Sequence, residues 1–209
     1  MRTLAFALLA WMVVGLVGCR GVEPDPATYP LIPFPSELEV EGDPFYVDGD
    51  TRVVLIPSDD GELRGVVDLL MEKDCWVIRG NHDARALRHP WPHERELVEP
   101  FFSRLRDFME MIVEGLDVYV VHASPPDSRI NGIDLVNSRG KVIPGKKAYW
   151  EARLQPFHCD VLIVGHTHRP FAETLGDTLV VNPGSTCFNH TCATLTLPER
   201  EVRFFPLDG

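Results

Sequence analysis

The sequence predicts an α/β fold, a layered sheet with flanking helices. Three observations predict it. First, four apolar runs each end in a polar, ligand-capable or turn residue: Cys75-Trp76-Val77-Ile78 before Arg79 and Gly80-Asn81-His82-Asp83, Asp117 to Val121 before His122, Val161 to Val164 before Gly165-His166-Thr167-His168, and Thr178 to Val181 before Asn182-Pro183-Gly184-Ser185. Runs of this length with β-branched residues read as buried strands rather than helices. Second, Leu63, Val66, Val67, Leu69 and Leu70 form an apolar stripe at helical spacing, with Asp59 or Asp60 placed to cap its start. Third, 44% of the chain is apolar, enough for a core. In layered α/β folds the functional groups gather at one end of the strands, so four strands ending this way imply one shared site.

Taken in order, Met1 to Cys19 has the pattern of an export leader: Arg2, a nearly unbroken apolar stretch from Leu4 to Val17, then Gly18. Leu16-Val17-Gly18-Cys19 resembles the bacterial lipoprotein processing site, which implies a lipid on Cys19 and a chain held on the periplasmic or extracellular face of a bacterial envelope. An ordinary signal peptide or an uncleaved anchor is the alternative. Residues 20–28 read as a tether.

Residues 29–73 form a small α+β segment with turns at Glu41-Gly42-Asp43 and Asp48-Gly49-Asp50. Tyr29-Pro30-Leu31-Ile32-Pro33-Phe34-Pro35, Phe45-Tyr46-Val47 and Thr51-Arg52-Val53-Val54 resemble the start of the small N-terminal domain of bacterial β-hexosaminidases. The catalytic barrel of those enzymes is absent, so the resemblance implies at most a carbohydrate-associated surface lipoprotein.

Residues 74–209 carry the chemistry. Phe101, Leu105, Phe108, Met109 and Ile112 predict an amphipathic helix closed by Gly115, and Pro125-Pro126-Asp127 a turn. Arg129 to Lys147 reads as a long loop and Ala148 to Leu154 as a short helix. Cys192 to Leu197 and Val202 to Leu207 read as closing strands around Pro198 to Glu201. Cys187 and Cys192 are close enough in sequence to bridge in an oxidising compartment, whereas Cys75 and Cys159 read as small buried apolar residues. In extended chain His166 and His168 would point the same way, and imidazole is a common metal ligand.

The order Gly80-Asn81-His82-Asp83, His122, Gly165-His166-Thr167-His168 and Asn182-Pro183-Gly184-Ser185 resembles the second half of the calcineurin-like metallophosphoesterases. The resemblance implies a partial, incomplete αββα sandwich and hydrolysis of a phosphomono- or diester by a metal-activated water. It assigns Asn81, His122 and His166 to one metal and His168 to the other, with His82 as general acid and Asp83 orienting its ring. It leaves Asn182 and Ser185 to shape the loop. One or two ions of manganese, iron, zinc or nickel are implied, since such metals accept imidazole nitrogen with carboxylate or amide oxygen. Outside the resemblance, Asn81 can be a left-handed turn residue, His82 a surface histidine, His122 a satisfied core histidine and Asp83 a cap.

The chain departs from that family in front of His82. It has no earlier histidine, so the opening Asp-x-His motif is missing, and Asp59 or Asp60 is the nearest replacement for a bridging carboxylate. It reads as the front of one protein joined to the back half of another near Leu70 to Lys73. The function classes are therefore a metallophosphoesterase with an impaired site or a non-catalytic metal- or phosphate-binding lipoprotein. The formal net charge of −11 argues against general nucleic-acid binding, which wants a basic surface.

Overall fold

In the computed structural model, backbone is described for residues 2–8, 13–17, 70, 75–81, 83, 101, 103–186 and 188–206, and side chains for these from residue 70 onward. Among the described residues, ten strands lie in two five-stranded sheets. The first has the order β10-β9-β1-β2-β3, built from β1 (Arg2–Leu8), β2 (Val13–Val17), β3 (Cys75–Arg79), β9 (Thr191–Leu197) and β10 (Glu201–Pro206). The second has the order β4-β5-β6-β8-β7, from β4 (Phe108–Val113), β5 (Leu116–Val121), β6 (Val161–Ile163), β7 (Phe171–Leu175) and β8 (Thr178–Asn182). Neighbours β5, β6 and β8 run parallel, while β4 and β7 flank them antiparallel. Parallel strands need covering on both faces, and β6 and β8 are buried at every residue.

One cover is the other sheet. Ile78, Met109, Met111, Val113, Val118, Val120, Val161, Ile163, Leu179, Val181, Leu195 and Leu197 form a single buried cluster drawn from both sheets. Burying each such aliphatic side chain contributes roughly 1.5–3 kcal/mol. The opposite face of the second sheet is closed by helix α1 (Pro144–Leu154) and by the segment before it. Trp150 and Leu154 of α1 pack with Tyr119, Val121, Ile133, Leu135, Leu162, Val164, Phe171 and Val180. Pro144 stands at the start of α1, where its missing N–H costs nothing and its fixed φ favours the helix.

Most of the expected strands are present: β3, β5, β6, β8, β9 and β10 lie on the runs that predicted them. Two expectations change, and the segment read as a leader has a place in the fold. The segment from Phe108 is a strand, not a helix: Met109, Met111 and Val113 alternate inward, and Glu114 (φ 51°) and Gly115 (φ 80°) turn the chain into β5. Paired positive φ at a two-residue connection suits the hairpin twist. Helix α1 starts four residues before Ala148. Arg2–Leu8 and Val13–Val17, read as leader, are strands here, with β1 paired to β9 on one side and to β2 on the other, and β2 to β3. An apolar run satisfies a strand between two neighbours as readily as the core of a leader. Among the described residues no helix is long and apolar enough to cross a membrane.

Of the helix predicted for residues 63–73, Leu70 is described, helical and 1% exposed. Asp59, Asp60, Cys19 and residues 20–58 lie outside the described residues, as do His82 and Cys187. Cys75 and Cys192 are buried, Cys159 is half-buried, and Cys159 and Cys192 carry free thiols.

Candidate metal centre

The parallel order β5-β6-β8 brings the C-terminal ends of three strands side by side, which places His122, Gly165 and Asn182 at one edge. Backbone bonds stitch these ends together: the Val164 N–H donates to the Val181 carbonyl and the Gly165 N–H to the His122 carbonyl, each at 2.8 Å. The fourth end, that of β3, arrives from the other sheet and brings Asn81 over the same edge.

There the side chains meet. His122 Nε2 lies 2.8 Å from Asn81 Oδ1 and 3.3 Å from His166 Nδ1. His122 is buried, and its ring meets that of His166 edge-on with centroids 5.2 Å apart. A single proton between these atoms satisfies one contact at a time. A divalent cation would take all three lone pairs at once. Donors held about 2.0–2.1 Å from one ion stand roughly 2.8–3.4 Å apart at angles between about 90° and tetrahedral, so 2.8 and 3.3 Å suit a shared ion as well as hydrogen bonds. Amide oxygen with two imidazoles is a donor set that manganese, iron or zinc accepts. Among the described residues no three His, Cys, Asp or Glu side chains gather as a metal-binding group; the third donor here is the Asn81 amide.

His166 and His168 do not reach the site by strand alternation. Their φ values are 65° and 57°, so the backbone has left the extended region immediately after Gly165. Left-handed histidines are uncommon and such residues concentrate where a surrounding structure holds them. Asn81, by contrast, is helical, which removes the left-handed turn reading for it. The ring of His168 packs on Phe188 with centroids 4.5 Å apart.

Asp83 is fully buried, and its Oδ2 accepts the Gly80 N–H at 2.6 Å. Burial pushes its carboxyl well above the usual range, against the Gly80 hydrogen bond and the nearby Arg79 charge. Its bond to Gly80 shows a capping contact across the Gly-Asn-His-Asp turn; the expected contact with His82 lies outside the described residues.

The wall of the site comes from the loop after β5. A Cβ on Gly132 would stand 2.9 Å from His166 Cδ2 and 2.9 Å from Thr167 Cγ2. Arg169, next to His168, pins this loop by donating to Asp134 Oδ1 at 3.1 Å and to the Val136 carbonyl at 2.9 Å. Neither Gly132 nor Arg169 stood out in the sequence, because nothing local to them signals the contact.

The calcineurin-like phosphoesterase superfamily domain matches residues 46–199. The chain belongs to that superfamily. The match begins inside the 29–73 segment and covers the ends of β3, β5, β6 and β8. Among solved structures, a hypothetical protein of Pyrococcus horikoshii is 19% identical over 58% of this chain and 48% of its own, with a TM-score of 0.48. An archaeal phosphodiesterase is 22% identical over 54% of this chain and 59% of its own, at 0.34. A metallophosphoesterase of Sphaerobacter thermophilus is 18% identical over 69% of this chain and 71% of its own, at 0.47. The chain thus spans about half to three-fifths of the first of these structures it matches. No curated protein matches. Members of the superfamily are generally dependent on divalent metals, and the mixed α/β architecture with its paired sheets is the one the superfamily resemblance implied.

Proposed function

We propose that the chain is a phosphoesterase that binds a divalent metal through Asn81, His122 and His166 and hydrolyses a phosphomono- or diester. The observation that carries this reading is the convergence of those three donors from three separate strand ends, with Asn81 Oδ1 and His166 Nδ1 at 2.8 and 3.3 Å from His122 Nε2. A bound ion would supply charge cancellation on the phosphoryl oxygens and a hydroxide near neutral pH. The protein's own part is to present the lone pairs, to keep His122 out of bulk water and to wall the site with the Gly132 loop. His168, beside His166 in sequence, is the candidate ligand for a second ion, and His82 the candidate proton donor to the leaving oxygen. Zinc, manganese, iron or nickel all suit the donors.

A second reading is a non-catalytic binding module that keeps the fold. It is favoured by the missing Asp-x-His motif, which would supply ligands to the second ion. One experiment separates the two. Hydrolysis of a chromogenic phosphodiester is measured with added manganese, against His122→Ala and His82→Ala controls. Turnover that both substitutions abolish supports the enzyme; binding of one ion with no turnover above the controls supports the module.

Lipid attachment at Cys19, with anchorage at a bacterial envelope, is a separate proposal that the metal site does not require. It is exclusive with the pairing of β1 and β2 in the sheet, because processing before Cys19 removes both strands.

A further inference from the structure

Two asparagines bracket the histidine turn. Asn182, fully buried at the end of β8, donates from Nδ2 to the Gly165 carbonyl and to Thr167 Oγ1, both at 3.0 Å. Its Oδ1 accepts the Gly184 N–H at 3.0 Å. Asn189 repeats the arrangement seven residues on. Its Nδ2 donates to the His168 carbonyl, and its Oδ1 accepts the Ser185 N–H at 2.7 Å and the Thr191 hydroxyl at 2.8 Å. Each side chain therefore has its amide nitrogen on the histidine turn and its oxygen on its own loop. One grips the turn at Gly165 and Thr167, the other at His168.

The loop between them is closed tightly enough to fix their spacing. Gly184 sits at φ +89°, and a Cβ there would fall 2.0 Å from Thr191 Oγ1 and 2.8 Å from Asn189 Oδ1. The turn they hold is the one containing the two left-handed histidines. Residues in that region persist where neighbours over-determine them; the buried Asn182 amide, with both donors and its acceptor satisfied, does so directionally, and the half-buried Asn189 adds a second hold.

We propose that Asn182 and Asn189 form a clamp of positioning residues that holds His166 and His168 in their left-handed conformations, and so fixes the direction of both imidazoles before any cation arrives. Neither asparagine is a member of the donor set, so both act through the turn. The inference rests on the metal-binding reading where affinity is concerned, and on the apo protein alone where ring orientation is concerned.

The test uses the full chain with Asn182→Ala, Asn189→Ala, Thr167→Val and Thr167→Ser, and two readouts. Cobalt(II) alone is titrated calorimetrically, and imidazole resonances are recorded in the metal-free protein. Loss of a group that orients a ligand typically weakens metal binding about tenfold to a hundredfold, and that loss is expected for each alanine. Thr167→Val, which removes a single acceptor, is expected to weaken binding less, and Thr167→Ser to restore it. In the metal-free protein the His166 and His168 resonances shift in both alanine variants, while His158, before the opposite end of β6, stays put. Cobalt affinity within twofold of the parent together with unmoved His166 and His168 resonances overturns the clamp. If the parent takes up no cobalt, the metal reading fails and the resonances alone decide: shifted, the clamp stands; unmoved, it falls. If Asn182→Ala does not fold, Thr167→Val carries its arm, and resonances identical to the parent overturn the Asn182 role.

Discussion

Replacing Gly132 by alanine puts one methyl group against the face that carries His166. The backbone of Gly132 is not in the left-handed region, so alanine suffers no conformational penalty there. The whole effect is steric. The added carbon meets His166 Cδ2 and Thr167 Cγ2 at 2.9 Å and His166 Cβ at 3.1 Å. Carbon pairs rest at about 3.5–4.0 Å, so His166 and Thr167 must retreat by roughly 0.6 Å or the loop must lift. Lifting is opposed by Arg169, which ties the loop at Asp134 and Val136. Overpacking of this kind costs about 1–3 kcal/mol. The same displacement is large against a 3.3 Å contact between His166 Nδ1 and His122 Nε2, and metal affinity should fall with it. Urea denaturation measures the first effect and cobalt(II) titration the second. A Gly132→Ala protein with parental stability and parental affinity would show that the loop yields freely and does not wall the site.

Three further outcomes follow from the fold and the leader. Ile163→Ala removes a fully buried side chain from the cluster between the sheets and should cost about 2–5 kcal/mol in urea denaturation; a loss below about 1 kcal/mol would contradict close packing there. Burial pushes the Cys159 and Cys192 thiols up to about 11, so at pH 8 the reactive thiolate is about a hundredfold scarcer than in an exposed cysteine. Peptide-resolved alkylation of the native protein should leave both unmodified while denatured protein reacts, and rapid native labelling at either position would show that it is not shielded. N-terminal sequencing of the membrane fraction decides the fate of the leader: a blocked, lipid-bearing Cys19 supports anchorage, and an intact Arg2–Val17 in folded protein supports the five-stranded sheet that holds β1 and β2.

The strands that position the site were legible because each is a short apolar run followed by a turn or ligand-capable residue. That pattern is physical: buried parallel strands must be apolar along their whole length, and polar groups can appear only where the chain leaves the sheet. The misread segment shows the limit of periodicity. Phe101, Leu105, Phe108, Met109 and Ile112 fit a helical stripe, yet Met109, Met111 and Val113 fit alternation equally well. The decisive signal was Glu114-Gly115, a two-residue connection of the hairpin type. Strand β7 went unread for a similar reason, although Gly176 (φ 61°) and Asp177 mark its turn into β8.

Of the candidate residues, three were legible as neighbours, and their geometry was not. Asn81, His122 and His166 do meet, but the alternation argument for His166 and His168 fails because both lie in the left-handed region. Asn189 sits in Phe188-Asn189-His190, which carries no recognisable pattern. Its importance arises only when the loop after β8 folds back on the histidine turn. Gly132 is equally silent in sequence, since its neighbour His166 is far along the chain.

The claim at the centre is that Asn81, His122 and His166 together take one divalent cation. Elemental analysis after equilibrium dialysis against manganese, zinc or cobalt tests it directly. The account predicts at least one ion retained per chain, lost in His122→Ala and in His166→Ala while both variants keep the fold. Retention undiminished by those substitutions, or no retention by the parent protein, would contradict it.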